Sequence, residues 1–415
     1  MSLTVLCISS YEKGYDFMRE CKEQGCRVLL LTSESLKNAR WPKDSIDETF
    51  YINDRNKEWD MNDVIYGVSY IARKEKLDRI VAFDDFDVER AAALREHLRI
   101  PGMGDTTARY FRDKLAMRTQ AASRGIPVPE FLHVLNHEEI SQFAKQVKFP
   151  FMVKARLLAG AYGLKKVDNE EELWSRINEL GDEQSFFLME RFVPGNIYHV
   201  DSIVYENEVR FAIASQYGKP PFEVAHSGRV FTSRTVLRGS EIEQKLFELN
   251  EKVIIAMGLL RGVSHTEFIE AEEVRQDSDP DEENLPGRDG KLYFLETSAR
   301  VGGAHIADLV EAASGINLWR EWAKIEIQRG VGDYEYPQVK NNYAGIIQSL
   351  AKQEWPDLTN YNDPEVIWKL NKRFHAGLII RSDNPERIEE LLDTYVQRFY
   401  DDFFATAPMK EKPGD

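Results

Sequence analysis

Two short segments hold the side chains whose types and spacing best suit chemistry: HTEFIE at 265–270 and FLETSARVGG at 294–303. Both read as strands. Side chains alternate across a strand, so Glu296, Ser298 and Arg300 share one face, and Glu267 on the partner strand joins them if the register permits. Two carboxylates a few ångströms apart repel unless a cation lies between them, and hard oxygen donors beside nucleotide phosphates suit Mg²⁺. Arg300 would then hold an anionic substrate or a transferring phosphoryl group through paired hydrogen bonds. The plainer alternative is an exposed sheet face carrying a cross-strand ion pair.

Two lysines sit in different settings. Lys154 ends the apolar strand FPFMVKAR, just before LLAGAYG, where a lysine and loop amides can together meet the phosphates of a nucleotide. Lys114 lies early in a helix, in FRDKLAM. Taken singly, each also fits a surface lysine whose stem covers apolar neighbours. LMERFVPGN at 188–196 puts Glu190 at the end of an apolar strand and turns at Pro194-Gly195. Such an edge can offer main-chain groups to an adenine ring, though a turn with a capping glutamate explains it nearly as well. His226, in FEVAHSG, and Arg234 are candidates for a substrate pocket and equally for ordinary surface.

The elements that must position these residues follow from the pattern of apolar runs. At 415 residues, with 42% hydrophobic and 11% aromatic content, the chain can build two to four packed units. Residues 3–9 and 27–32 read as buried strands around a segment with helical spacing at Phe17, Met18 and Cys21. A helix near 60–75 (Val64, Ile65, Val68, Ile71), a strand at 78–83 and a helix at 86–98 follow, an alternation that predicts a parallel sheet covered on both faces. No GxGxxG follows the first strand, so a dinucleotide-binding reading has no support. After Pro101-Gly102 the spacing predicts a helix at 108–124, a turn at Gly125-Ile126-Pro127-Val128-Pro129 and the strand 149–156. Hairpins are expected through 200–216, turning at Glu206-Asn207, and between 263–272 and 291–299. The acidic stretch 274–290 is expected to be an exposed, mobile insertion. A helix from about 304 leads into 317–329, where Leu318, Trp319, Trp322, Ile325 and Ile327 suit a core. Strands at 344–350 and 376–381 and a helix at 385–404 predict a small C-terminal α+β unit.

A formal net charge of −16 disfavours nucleic acid and anionic membrane as main partners. Cys7, Cys21 and Cys26 have no paired CxxC spacing and read as reduced core or surface thiols. With no basic leader before an apolar run and no apolar stretch long enough to span a bilayer, a cytoplasmic protein is the expectation.

In order along the chain, these pieces resemble the ATP-grasp superfamily. DKLAMRTQAASRGIPVPEF resembles its opening helix and turn, PFMVKARLLAGAYGL its second lysine and phosphate loop, MERFVPG its adenine hinge, and HTEFIE with ETSARVGG its metal-binding hairpin. ETSARVGGAHIADLVEAASGINL and HAGLIIRS look most similar to carboxylate-amine ligases, which include L-amino-acid ligases, and to biotin-carboxylase-like relatives. The resemblance implies an α/β and α+β multi-lobed fold: an N-terminal parallel α/β domain (1–105), an ATP-grasp domain (106–330, with a small lobe at 106–186 and a metal-binding lobe at 187–330) and a C-terminal α+β lobe (331–415). It implies that ATP lies against Lys114, Lys154, Gly160, Gly163, Glu190, Phe192 and Val193. Leu158 and Ala161 depart from the usual loop pattern. Ile197 stands where some relatives carry a ribose-binding glutamate, leaving His199 or Asp201 as substitutes. Mg²⁺ or Mn²⁺ would be held by Glu267, Glu296 and Ser298, with Ser298 replacing the usual Asn, and Arg300, Glu296 and Glu267 would serve catalysis. His226, Arg234, Arg300 and Gly303 would meet substrate. The implied activity joins a carboxylate, such as an amino acid, to an amine through an acyl phosphate, releasing ADP and phosphate, in a chain that could pair as a homodimer. A biotin-carboxylase-like enzyme and an inactive nucleotide-binding module are the alternatives.

Overall fold

In β1 (Thr4–Ser9) every residue is buried, and its side chains divide between two cores. Val5 and Cys7 pack on one side with Phe17 and Met18, Leu6 and Ile8 on the other with Val64 and Val68. This is the two-faced burial that the unbroken apolar run requires. β2 (Arg27–Ser33), β3 (Glu48–Ile52) and β4 (Arg79–Ala82) complete a parallel sheet in the order β3-β2-β1-β4. β3 escapes a sequence reading because it is an edge strand whose residues, apart from Ile52, are only partly buried or exposed. The computed structural model describes residues 2–54, 58–158, 163–220, 224, 230–273, 289–328 and 333–405. Most of the acidic insertion (274–288) lies outside them, as do His226 and residues 159–162 of the phosphate loop, including Gly160.

The single helix expected at 108–124 is two, Asp105–Arg109 and Lys114–Ser123. Asp113 makes the break: its carboxylate accepts from the amides of Leu115 (3.0 Å) and Ala116 (3.4 Å), capping the second helix so that Lys114 becomes its first residue. The small lobe then forms an antiparallel sheet, β5 (Phe131–His133), β6 (Phe151–Ala155), β7 (Leu164–Val167) and β8 (Phe187–Arg191), in the order β5-β8-β6-β7. Helices His137–Val147 and Glu170–Leu180 contribute Ile140, Leu173 and Ile177 to its core.

The third sheet has eight antiparallel strands: β9 (Gly195–Tyr205), β10 (Glu208–Tyr217), β11 (Phe231–Thr235), β12 (Arg261–Ala271), β13 (Leu292–Ser298), β14 (Tyr343–Leu350), β15 (Val366–Lys369) and β16 (His375–Ser382). Their order is β13-β12-β9-β10-β11-β14-β16-β15. Glu206 and Asn207 turn the β9–β10 hairpin with φ of 54° and 62°, the left-handed pair that a tight hairpin demands. The tail does not build a sheet of its own. β14 pairs with β11 from Phe231↔Gln348 to Arg234↔Gly345, so the last three strands extend the central sheet, backed by the helix Pro385–Asp402. The helix Leu318–Gln328 faces the first sheet instead. Trp322 lies edge-on to Phe17 (5.4 Å between ring centres) and Phe83 (6.1 Å), within a core that also takes in Val263 and Ile346 of the central sheet. Cys7, Cys21 and Cys26 are buried and form no disulfide among the described residues, and burial pushes the Cys7 and Cys21 thiols far up, leaving them protonated. No helix among the described residues is long and apolar enough to cross a membrane.

Candidate active site

A cleft of about 750 Å³ runs between the small lobe and the central sheet, a size suited to a nucleotide with a small second ligand. Its walls include Lys114, Lys154, Glu190, Phe192, Val193, His265, Glu267, Glu296, Ser298, Arg300 and Gly303. Segments far apart in sequence therefore converge on one space.

The hairpin places Glu267 directly opposite Glu296, and a bulge follows between Glu267 and Phe268. Thr266 and Thr297 point to the other face and bond to each other at 2.8 Å, which fixes the alternation. Glu267 Oε1 accepts from the Tyr217 hydroxyl (2.8 Å), and Glu296 Oε2 pairs with Lys114 Nζ (2.9 Å). The remaining carboxylate oxygens, Glu267 Oε2 and Glu296 Oε1, have no hydrogen-bond partner among the described residues. Burial raises the Glu267 carboxyl, but His265 and Tyr217 outweigh it and hold the group below the ordinary range, hence ionised. Two opposed carboxylates with spare oxygens fit a hard divalent cation.

Lys114 also donates from Nζ to the Leu158 carbonyl (2.7 Å), and its own amide donates to the Arg156 carbonyl (3.0 Å). Arg112 Nη2 reaches the Leu157 carbonyl (2.8 Å) and Arg156 pairs with Asp113, so the start of the phosphate loop is tied to the turn before Lys114. Gly163 closes that loop with φ of 67°. Lys154 pairs with Glu190 Oε1, while Arg118 holds Glu190 Oε2 from Nε (3.0 Å) and Nη2 (2.9 Å). Both oxygens of Glu190 are thus occupied and the residue is 2% exposed. Its carboxylate steadies Lys154 and is not free to bond a base. Burial raises the Glu190 carboxyl, and the two cations more than reverse this.

Three expectations need correction. His199 does not line the cleft: it is fully buried beneath Tyr217 (4.8 Å between ring centres), with Nδ1 on Asp201 (2.7 Å) and Nε2 on Ser233 (2.8 Å). Asp201 is equally buried and bonds His265 Nδ1 at 2.9 Å, so neither residue is open to a ribose. Arg234 pairs with Glu389 (3.0 Å) on the C-terminal helix and is not part of the cleft wall.

The structure adds residues that sequence reasoning missed. Arg118 stands four residues after Lys114 on the same helical face, a spacing that could have flagged it. His265 alternates with Glu267 on β12; burial lowers its pKa, but Asp201 and Glu267 lift it to about 10, making it a cation on the cleft wall. Asp85 gave no local signal. It comes from the N-terminal domain and binds Arg300, whose Nε lies 2.9 Å from Asp85 Oδ2.

Residues 113–207 match the profile of the carbamoyl-phosphate synthase L chain, ATP binding domain. An L-arginine-specific L-amino acid ligase of Bacillus subtilis is 24% identical over 346 residues, covering 78% of this chain and 79% of its own. The crystal structure of an L-amino acid ligase from Bacillus licheniformis superposes with a TM-score of 0.71 at 16% identity, over 97% of this chain and 98% of that one. A biotin carboxylase from Campylobacter jejuni, solved with a β,γ-ATP ligand, gives a TM-score of 0.67 at 16% identity, over 96% of this chain and 91% of that one. The profile falls on the lobe that carries both lysines, and the likeness of fold to these ligases runs nearly end to end.

Proposed function

We propose that the protein uses ATP to convert an amino-acid carboxylate into an acyl phosphate and transfers the acyl group to the amine of a second amino acid, releasing ADP and phosphate. The observation that carries this reading is the convergence, in one cleft, of two opposed carboxylates, Glu267 and Glu296, with Lys114, Lys154 and Arg300. The similarity to an L-amino acid ligase in sequence and in fold supports the choice of substrate class.

In this reading the main chain near Phe192 and Val193 takes the adenine, and Lys154, braced by Glu190, meets the phosphates. Glu267, Glu296 and Ser298 would hold Mg²⁺ or Mn²⁺, which supplies charge neutralisation at the β and γ phosphates. Lys114 bridges Glu296 and the Leu158 carbonyl, so it reports on both the hairpin and the phosphate loop. Arg300 orients the attacking carboxylate, and two groups brought into line gain most of their rate from that orientation. His265, on the same wall, is held between Asp201 and Glu267 and positions the Glu267 carboxylate.

The test is phosphate release with ATP, Mg²⁺ and the twenty proteinogenic L-amino acids, offered singly and in pairs. Amino-acid-dependent release that also yields a dipeptide is the expected result. Release that answers bicarbonate and biotin, and no amino acid, would assign the protein to biotin-carboxylase-like chemistry.

A further inference from the structure

We propose that Asp85, at the start of the helix Asp85–Leu98 in the N-terminal domain, is a positioning residue that fixes Arg300 for the carboxylate substrate. The inference rests on the ligase reading given above and adds to it a domain that contributes no residue to the cleft lining among the described residues.

Arg300 carries five N–H donors in a planar fork. Nε (2.9 Å) and Nη2 both donate to Asp85 Oδ2, and Nη1 donates to the Val301 carbonyl (2.9 Å). One donor on each terminal nitrogen is left, on a guanidinium that lines the cleft. That is the pair a carboxylate accepts from. A guanidinium on a free side chain would sample many rotamers, whereas here three of its donors are pinned by atoms outside the cleft.

The setting of Asp85 favours orientation over stability as its purpose. The residue is 4% exposed, and its second oxygen, Oδ1, has no hydrogen-bond partner among the described residues. A buried carboxylate with one unsatisfied oxygen is costly, and an apolar pair in place of Asp85 and Arg300 would pack there without that cost. Asp84, next to it, caps the same helix through the Phe86 amide (3.2 Å) and pairs with Lys13, so capping does not require Asp85. Arg112 lies near enough to act on the Asp85 carboxylate and holds the Leu157 carbonyl at the base of the phosphate loop (2.8 Å). The carboxylate therefore sits between the substrate arginine and the segment that carries the loop.

The experiment compares the wild type with Asp85→Asn, Arg300→Lys and the double variant, measuring phosphate release with ATP, Mg²⁺ and an equimolar mixture of the twenty L-amino acids. Asp85→Asn should raise the half-saturating amino-acid concentration, or lower turnover, by roughly tenfold or more, the effect of losing one charge-assisted contact. Its half-saturating ATP concentration should stay within about twofold of the wild type, which also shows that the variant is folded. In the Arg300→Lys background the same change should add little, because the partner through which Asp85 acts is gone. Asp85→Glu, which keeps the charge, should recover part of the loss. Wild-type amino-acid dependence in Asp85→Asn, equal losses for ATP and amino acids, or additive losses in the double variant would each overturn the proposal while leaving the ligase reading standing. A wild type that releases no phosphate with any amino acid overturns the ligase reading, and this inference with it.

Discussion

Glu190 is held by two cations, Lys154 and Arg118, at 2% exposure, so its replacement leaves two buried positive charges facing each other. Glu190→Gln should cost about 3 kcal/mol of stability, visible in urea unfolding. The pH dependence has a definite sign. The folded-state pKa lies below the ordinary 4.5, so the contribution is whole above that value and is lost as pH falls through the lower folded value. As pH falls below the ordinary 4.5 the wild type should therefore lose more stability than Glu190→Gln does. Glu267→Ala and Glu296→Ala should each reduce turnover by about a thousandfold or more with little change in thermal melting, since both side chains face the cleft and not a core. Near-normal phosphate release from both would remove the proposed metal site. At this scale the opposed glutamates were legible because strand alternation is a local rule. The pairing of Arg300 with Asp85, 215 positions away, was not, because no local pattern reports which distant segment folds against it.

Asp113 shows what an element boundary does for a site. Its side chain caps the helix Lys114–Ser123 and pairs with Arg156 at the base of the phosphate loop, so one residue fixes where Lys114 begins and where the loop departs. Asp113→Ala should cost about 1–2 kcal/mol from the lost cap and raise the half-saturating ATP concentration, read from melting and from phosphate release. The run from 108 to 124 read as one helix because its apolar spacing continues through the break. Hairpins were easier: Glu206-Asn207 marks its own turn, and both residues adopt the left-handed conformation found there. β3 and the destination of the last three strands were not legible, the first because an edge strand lacks a full apolar run, the second because pairing partners of antiparallel strands follow from tertiary packing.

At the scale of the molecule, the helix Leu318–Gln328 ties the N-terminal sheet to the central one through Trp322, which meets Phe17, Phe83 and Trp319. The aromatic run was legible as core; that this core belongs to two domains was not. Trp322→Ala should cost about 3–5 kcal/mol. It should also lower the midpoint of N-terminal and central unfolding together, a joint shift that domain-specific fluorescence probes or hydrogen exchange would resolve. The Asp85–Arg300 pair joins the N-terminal domain to the cleft wall as well. In the proposed reading, a cleft lined by Lys154, the opposed glutamates and Arg300 suits attack of a carboxylate on the terminal phosphorus of ATP. The most direct measurement of that claim is the identity of the nucleotide product once an active amino acid is found. The account predicts ADP and phosphate in equal amounts, with formation of a hydroxamate when hydroxylamine replaces the amine, and loss of all three in Glu296→Ala. AMP and pyrophosphate as products would contradict it.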